Sequence, residues 1–175
     1  MAVTDDAGHG ADAVVVVDDE AGLALLAARL AAALPARAFV ALEGDLGAGK
    51  TTFVKALAGA VGVDPAEVTS PTFGLVHLHD FPGGRLVHAD LYRLGGSAEL
   101  AELGWEELVA APGWVVVEWA SRAPLSLPPE RVDVVIDILS ETGRRFTFTP
   151  RGPLHRPLVA ALAGERPSSA RRAGE

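Results

Sequence analysis

Eight consecutive residues, Gly44-Asp45-Leu46-Gly47-Ala48-Gly49-Lys50-Thr51, have the spacing G-x-x-x-x-G-K-T. That spacing is the phosphate-binding loop of nucleoside triphosphatases. Its glycines let backbone N–H groups turn inward onto phosphates, and the helix that starts near Lys50 adds the positive end of its dipole. Lys50 would reach the β- and γ-phosphates, and Thr51 would offer its hydroxyl to Mg²⁺. The apolar run Phe39–Leu42 before the loop and Thr52-Phe53-Val54-Lys55-Ala56-Leu57 after it supply the strand and the helix such a loop needs. The candidate nucleotide contacts are therefore Asp45, Leu46, Gly47, Ala48, Gly49, Lys50, Thr51 and Thr52. Locally, Thr52 and Lys55 read as ordinary helix residues.

Triphosphate hydrolysis also needs a carboxylate at a strand end, to hold the metal's water shell or to orient the attacking water. Two acids fit. Glu118 ends the apolar strand "WVVVE", and Asp90 ends "LVHAD", sharing a face with His88 and Tyr92 by the period of two. The continuous apolar strand favours Glu118, with Thr51, for the metal. The hairpin strand behind Asp90 suits a water-orienting group, so Lys50, Asp90 and Glu118 form the candidate catalytic set. Between the loop helix and the next strand lies "TSPTF", Thr69 to Phe73, where Pro71 stiffens the chain. Ser70 or Thr72 there could meet phosphate or metal, as in the γ-phosphate-sensing segments of such proteins. A capped turn is the plain alternative.

Other motifs carry less. "DFPG", Asp80 to Gly83, matches the D-x-x-G of GTPase switches, but it sits in a Pro-Gly-Gly turn and no N-K-x-D guanine reader follows. His77 and His79 alternate with Leu78 as on a strand edge and have no further metal-ligand cluster beside them. Trp119 could close over the site, face a partner or pack in the core.

These residues need a scaffold. "AVVVV" (13–17) reads as a strand, and Asp18 or Asp19 can cap a helix that Pro35 ends. "GLVHLHDFPGGRLVHADLYRL" predicts two strands around a turn, and "SAELAELGWEELVA" a helix with Ser97 as N-cap. "GWVVVEWA" predicts a buried strand, and "RVDVVIDIL" with "RRFTFTP" a closing hairpin. Early alternation and late pairing imply an α/β fold: a three-layer sandwich of the P-loop type, with a mixed sheet and helices on both faces. One domain is expected over 1–150, and a disordered tail over 151–175.

The chain has 175 residues, 49 % of them apolar, and no cysteine, which excludes disulfides, thiol nucleophiles and Cys-based zinc sites. Its N-terminus is acidic, unlike a targeting peptide, and no apolar run nears the roughly 18–20 residues of a membrane span. A cytoplasmic protein without membrane contact is expected. A net charge of -8 argues against a stand-alone nucleic-acid binder. Lys50 and Lys55 are the only lysines among 15 basic residues, so a lysine in the loop suggests that a compact ammonium is needed there.

In order and spacing, "GDLGAGKTTF", "SPTF", "HADLYRL" and "VEWASR" resemble the TsaE (YjeE) family of small bacterial ATPases, from about Val16 to Phe148. The resemblance implies Mg²⁺-dependent hydrolysis of ATP in the making of threonylcarbamoyladenosine in tRNA, at the adenosine beside the anticodon. It implies work with the TsaB–TsaD heterodimer, where TsaD transfers a threonylcarbamoyl group from an adenylate made by TsaC and ATP hydrolysis resets the machine. The tRNA would be met only through that complex, the chain alone being monomeric. The resemblance places Lys50 on phosphate, Thr51 on Mg²⁺, Ser70-Pro71-Thr72 on a switch-like segment, the strand-end acids on Asp90 and Glu118, and Trp119 after the glutamate. It adds Thr72 to the nucleotide contacts. One departure is Gly22, where relatives often carry a threonine near the adenine. The rival readings are a small-molecule P-loop kinase, which would need an acceptor domain and an arginine-bearing lid, and a nucleotide-dependent binding module.

Overall fold

The structure, a computed structural model, describes residues 12–71 and 75–164. Thr72, Phe73 and Gly74, and with them part of the predicted switch-like segment, lie outside the described residues. So do residues 1–11 and 165–175.

The chain runs β1 (Ala13–Val17), α1 (Glu20–Ala33), β2 (Arg37–Glu43), α2 (Lys50–Ala60), β3 (Val76–Phe81), β4 (Gly84–Asp90), α3 (Ser97–Glu102), α4 (Trp105–Ala110), β5 (Gly113–Glu118), β6 (Arg131–Ile138), β7 (Arg144–Arg151) and α5 (Arg156–Ala163). The strands form one sheet in the order β1-β7-β6-β2-β5-β4-β3. β2 is parallel to both β5 and β6, and β5 to β4, whereas β3 and β7 run the other way. The mixed α/β sandwich expected from the alternation of elements is thus the architecture found. The carboxyl ends of β1, β6, β2, β5 and β4 all emerge at one edge, where open α/β sheets bind their ligands.

The central strands read as continuous apolar runs because both faces are covered. On one face, α1, α2 and α5 pack on Val40, Leu42, Ile136, Phe146 and Phe148. On the other, Leu100 of α3 and Trp105 of α4 cover Phe39, Ala41, Val115 and Val117. Asp19 is the cap of α1, its carboxylate accepting from the Gly22 N–H at 2.8 Å. No helix among the described residues is long and apolar enough to cross a membrane.

Three expectations are corrected. The "SAELAELGWEELVA" segment is two short helices, because Gly104 turns at φ +68° between them. Gly96, not Ser97, stands at the N-cap of the first. The tail predicted to be disordered from 151 is folded through 164: β7 extends to Arg151, and α5 buries Leu158, Val159 and Leu162. Each such burial contributes about 1.5–3 kcal/mol, enough together to hold a helix too short to persist alone. The signal was present in Pro157 at the helix start and in the helical spacing of those three residues.

Candidate nucleotide site

The phosphate loop joins the end of β2 to the start of α2. At Gly44 the backbone takes φ +151°, and a Cβ there would lie 2.6 Å from the Ile136 carbonyl oxygen on β6. Gly49, the cap of α2, is left-handed at φ +99°. Glycine is required at both positions, by crowding at the first and by backbone conformation at the second. The loop therefore opens onto the end of α2, whose first N–H groups have no helical partner and are suited to phosphate oxygens.

Lys50 is buried inside this loop. Its Nζ donates to the carbonyl oxygens of Gly44 (2.6 Å) and Asp45 (3.0 Å) and lies 3.8 Å from the centre of the Trp119 ring. Burial lowers its pKa, while Glu118, Glu43, Asp90 and Asp45 oppose that shift. An ammonium so placed is desolvated and ringed by acids, so a phosphate anion would gain a strong partner there.

Trp119 reaches Lys50 because the chain leaves β5 in a left-handed turn, φ +57°. Such a conformation in a bulky residue costs about 1–3 kcal/mol and gathers at functional sites. Tyr92 also packs against the indole, with ring centroids 4.9 Å apart. Tyr92 is not on the strand face with Asp90, as the period of two suggested. β4 ends at Asp90, and Tyr92 lies beyond it, its N–H donating to Asp90 Oδ1 at 2.9 Å.

The two acids are register neighbours, Asp90 on β4 opposite Glu118 on β5, and both are buried. Their partners differ. Thr51 Oγ1 donates to Glu118 at 2.8 Å (Oε1) and 3.1 Å (Oε2), and His88 Nε2 lies 2.7 Å from Oε1. Asp90 Oδ2 accepts from the Ser70 hydroxyl at 2.6 Å, and the Asp90 N–H donates to Leu75 O. One acid is tied to the loop helix and the other to the segment entering β3. The donors that converge here are hydroxyl and carboxylate oxygens, the set a hard cation prefers. No group of three or more His, Cys, Asp or Glu suited to a metal occurs among the described residues. The oxygen donors fit Mg²⁺, which takes one or two protein ligands and completes its shell with phosphates and water.

Lys50, Thr51, Ser70, Asp90, Glu118 and Trp119 line one depression of about 410 Å³. A second cavity, of about 550 Å³, adjoins it across Gly49 and Thr52. Val17, Leu23, Ala48 and Phe146 form its apolar part, and Asp19, Glu20 and Glu141 supply carboxylates. Arg144, in the wall of the second cavity, ties the loop to the β6–β7 turn. Its guanidinium donates to Ala48 O (2.9 Å) in the loop and to Ser140 O (2.9 Å) and Gly143 O (2.8 Å) in the β6–β7 turn.

Residues 17–146 match the family model described as the threonylcarbamoyl adenosine biosynthesis protein TsaE. The chain belongs to the TsaE family. It is 38 % identical over 122 residues to the tRNA threonylcarbamoyladenosine biosynthesis protein TsaE of Bacillus subtilis, covering 70 % of this chain and 75 % of that one. The Aquifex aeolicus protein of the same name is 38 % identical over 132 residues, 75 % of this chain and 91 % of its own. A crystal structure of Bacillus subtilis YdiB superposes with a TM-score of 0.73 at 29 % identity, covering 89 % of this chain and 97 % of that one.

Of the residues singled out from the sequence of this TsaE-family chain, Gly47, Gly49, Lys50, Thr51, Thr52, Asp90 and Glu118 share the depression beside the loop. Leu46 is there too, 78 % exposed at the loop tip. Ala48 faces the second cavity, and Asp45 contributes its carbonyl to Lys50. Gly22 lies beside that cavity's wall, and a Cβ on it would make ordinary contact with Val17 and Asp19. Asp80 of "DFPG" is at the far end of the β3–β4 hairpin, in an exposed pair with Arg85. The five residues from its register partner Arg85 to Asp90 set it about 17 Å from Asp90 at ~3.3 Å per residue, which removes it from the site. Sequence reasoning passed over Arg144 and the His88–Glu118 contact. Only the position of Arg144 at a strand start and the burial of "LVHAD" hinted at them.

Proposed function

We propose that the chain binds ATP with Mg²⁺ and hydrolyses it, and that this hydrolysis serves the TsaB–TsaD complex in threonylcarbamoylation of tRNA. The observation that carries the reading is the Thr51–Glu118 contact at 2.8 Å beside the buried Lys50 ammonium. It sets a phosphate counter-charge next to an all-oxygen cation site.

The loop N–H groups and Lys50 bind the triphosphate and offset its charge. Thr51 and Glu118 would hold the cation, the Thr51 hydroxyl donating a hydrogen bond to Glu118 so that its oxygen lone pairs stay available to the metal. Mg²⁺ supplies neutralisation of charge on the β- and γ-phosphates. Asp90 keeps acceptor capacity beyond its bonds to Ser70 and Tyr92, and orients the attacking water. The adjoining cavity takes the base. Its apolar walls and the carboxylates at Asp19, Glu20 and Glu141 suit a purine that carries an amino group, and the absence of an N-K-x-D guanine reader from the sequence favours adenine.

Two features support a partner-coupled role over a kinase. Leu46 and Tyr92, exposed at the rim of the phosphate site, are available to a covering surface. The net charge of -8 leaves tRNA to be met through the complex. Calorimetry with ATP and Mg²⁺, followed by phosphate release with and without TsaB–TsaD, tests the reading. Absence of nucleotide binding removes it, a phosphorylated metabolite revives the kinase, and release indifferent to the pair removes the coupling.

A further inference from the structure

His88 has a place in the site that neither the loop motif nor the two acids accounts for. It lies on β4 just before Ala89 and Asp90, fully buried, with Nε2 2.7 Å from Oε1 of Glu118 on β5. A carboxylate only accepts hydrogen bonds, so Nε2 carries the proton and donates it. Nδ1 is buried and has no partner. The surrounding face is apolar, with Leu86 two positions earlier and Val116 opposite. Packing by itself favours an aliphatic side chain here, yet the imidazole is present and its polar engagement is with Glu118. The other donor to that carboxylate, the Thr51 hydroxyl, is shared between Oε1 and Oε2. A shared hydroxyl that must also turn its oxygen toward a cation leaves the carboxylate free to rotate.

We propose that His88 is a positioning residue whose Nε2–H holds Oε1 of Glu118, locking the carboxylate against Thr51 so that the pair is preformed for a divalent cation. The proposal rests on the Mg²⁺–nucleotide reading of that pair. It gives His88 no contact with nucleotide and no part in proton transfer.

Two experiments on the full chain test it. In the nucleotide-free protein, nitrogen–proton correlation of the imidazoles should show His88 as the Nε2–H tautomer, its proton protected from solvent exchange and losing that protection in Glu118→Ala. The Nδ1–H tautomer overturns the proposal. In Mg²⁺ titrations at fixed ATP, followed by calorimetry, His88→Leu should raise the half-saturating Mg²⁺ about tenfold or more, in the range usual for lost partners of metal ligands. ATP binding in EDTA should stay within about twofold of wild type, and His88→Gln, whose amide nitrogen can reach the same acceptor, should recover most of the Mg²⁺ affinity. Equal Mg²⁺ dependence in His88→Leu and wild type overturns the proposal. So does a loss in His88→Leu that extends to ATP binding in EDTA and is not recovered by His88→Gln, since that describes a packing residue. If wild type itself binds ATP without any Mg²⁺ dependence, the metal reading fails, while the imidazole spectrum still decides the contact with Glu118.

Discussion

The proposed phosphate cradle and the proposed base-side cavity lie side by side at one edge of the sheet, yet they are built in opposite ways. The cradle is charged and tightly bonded: Lys50, Thr51, Glu118, Asp90 and Ser70 each have a named polar partner within about 3 Å. The cavity is a largely apolar space whose carboxylates sit toward the β1–α1 junction and the β6–β7 turn. In the proposed function one would hold a phosphate chain by charge, and the other would fit a base by shape and a few acceptors. The cradle should therefore fail steeply when a single atom changes, and the cavity gradually.

The steepest failure expected is Asp90→Asn. It keeps shape but removes the acceptor for a water proton, so single-turnover hydrolysis should slow by roughly 10²–10⁴-fold while ATP affinity changes little. If hydrolysis persists, Asp90 is only the anchor of Ser70. Next is Lys50→Ala, which removes charged hydrogen bonds of about 1.5–3 kcal/mol, so calorimetry should show ATP affinity lowered by roughly 10- to 100-fold. Unchanged affinity would remove the cradle itself. Arg144→Ala sharpens the comparison, because that guanidinium braces the loop from the turn beside the cavity. Losing it should weaken ATP by about tenfold, a cost of about 1.4 kcal/mol, and should weaken adenosine as well. A loss confined to ATP would make it part of the cradle only. Glu141→Gln addresses the cavity alone and should narrow the preference for ATP over GTP by a few-fold, read by competition binding, with turnover of bound ATP unchanged.

The smallest effect is expected away from both regions. His155, at the opposite edge of the sheet, has its pKa lowered from 6.5 by burial, with Glu130 opposing. The unfolded chain takes up this proton first as pH falls, so stability is lost from about pH 6.5 downward until the folded value is passed. Urea unfolding of His155→Leu should thus show a shallower fall over that window than wild type, with nucleotide affinity unaltered. A fall as steep as wild type would assign the acid sensitivity elsewhere, the half-buried His79 being another imidazole that desolvation shifts downward among the described residues.

What could be read from the sequence is what the chain decides within a few residues or within one element. The loop is eight consecutive positions whose glycine conformations and helix start are local, so spacing alone identifies it. Glu118 and Asp90 were visible as acids ending apolar strands, since the period of two and strand length are local as well. What only the tertiary structure decided depends on register between strands far apart in the chain. Asp90 and Glu118 are neighbours because β4 and β5 pair in one register, which also sets His88 against Oε1. The base-side cavity draws on β1, α1, the loop and the β6–β7 turn, and no local pattern states that these meet. Trp119 lies over Lys50 because of one left-handed residue at a strand exit, a conformation its side chain disfavours and tertiary packing imposes. The helix α5, too short to be stable by itself, exists because β1 and β7 offer it an apolar face.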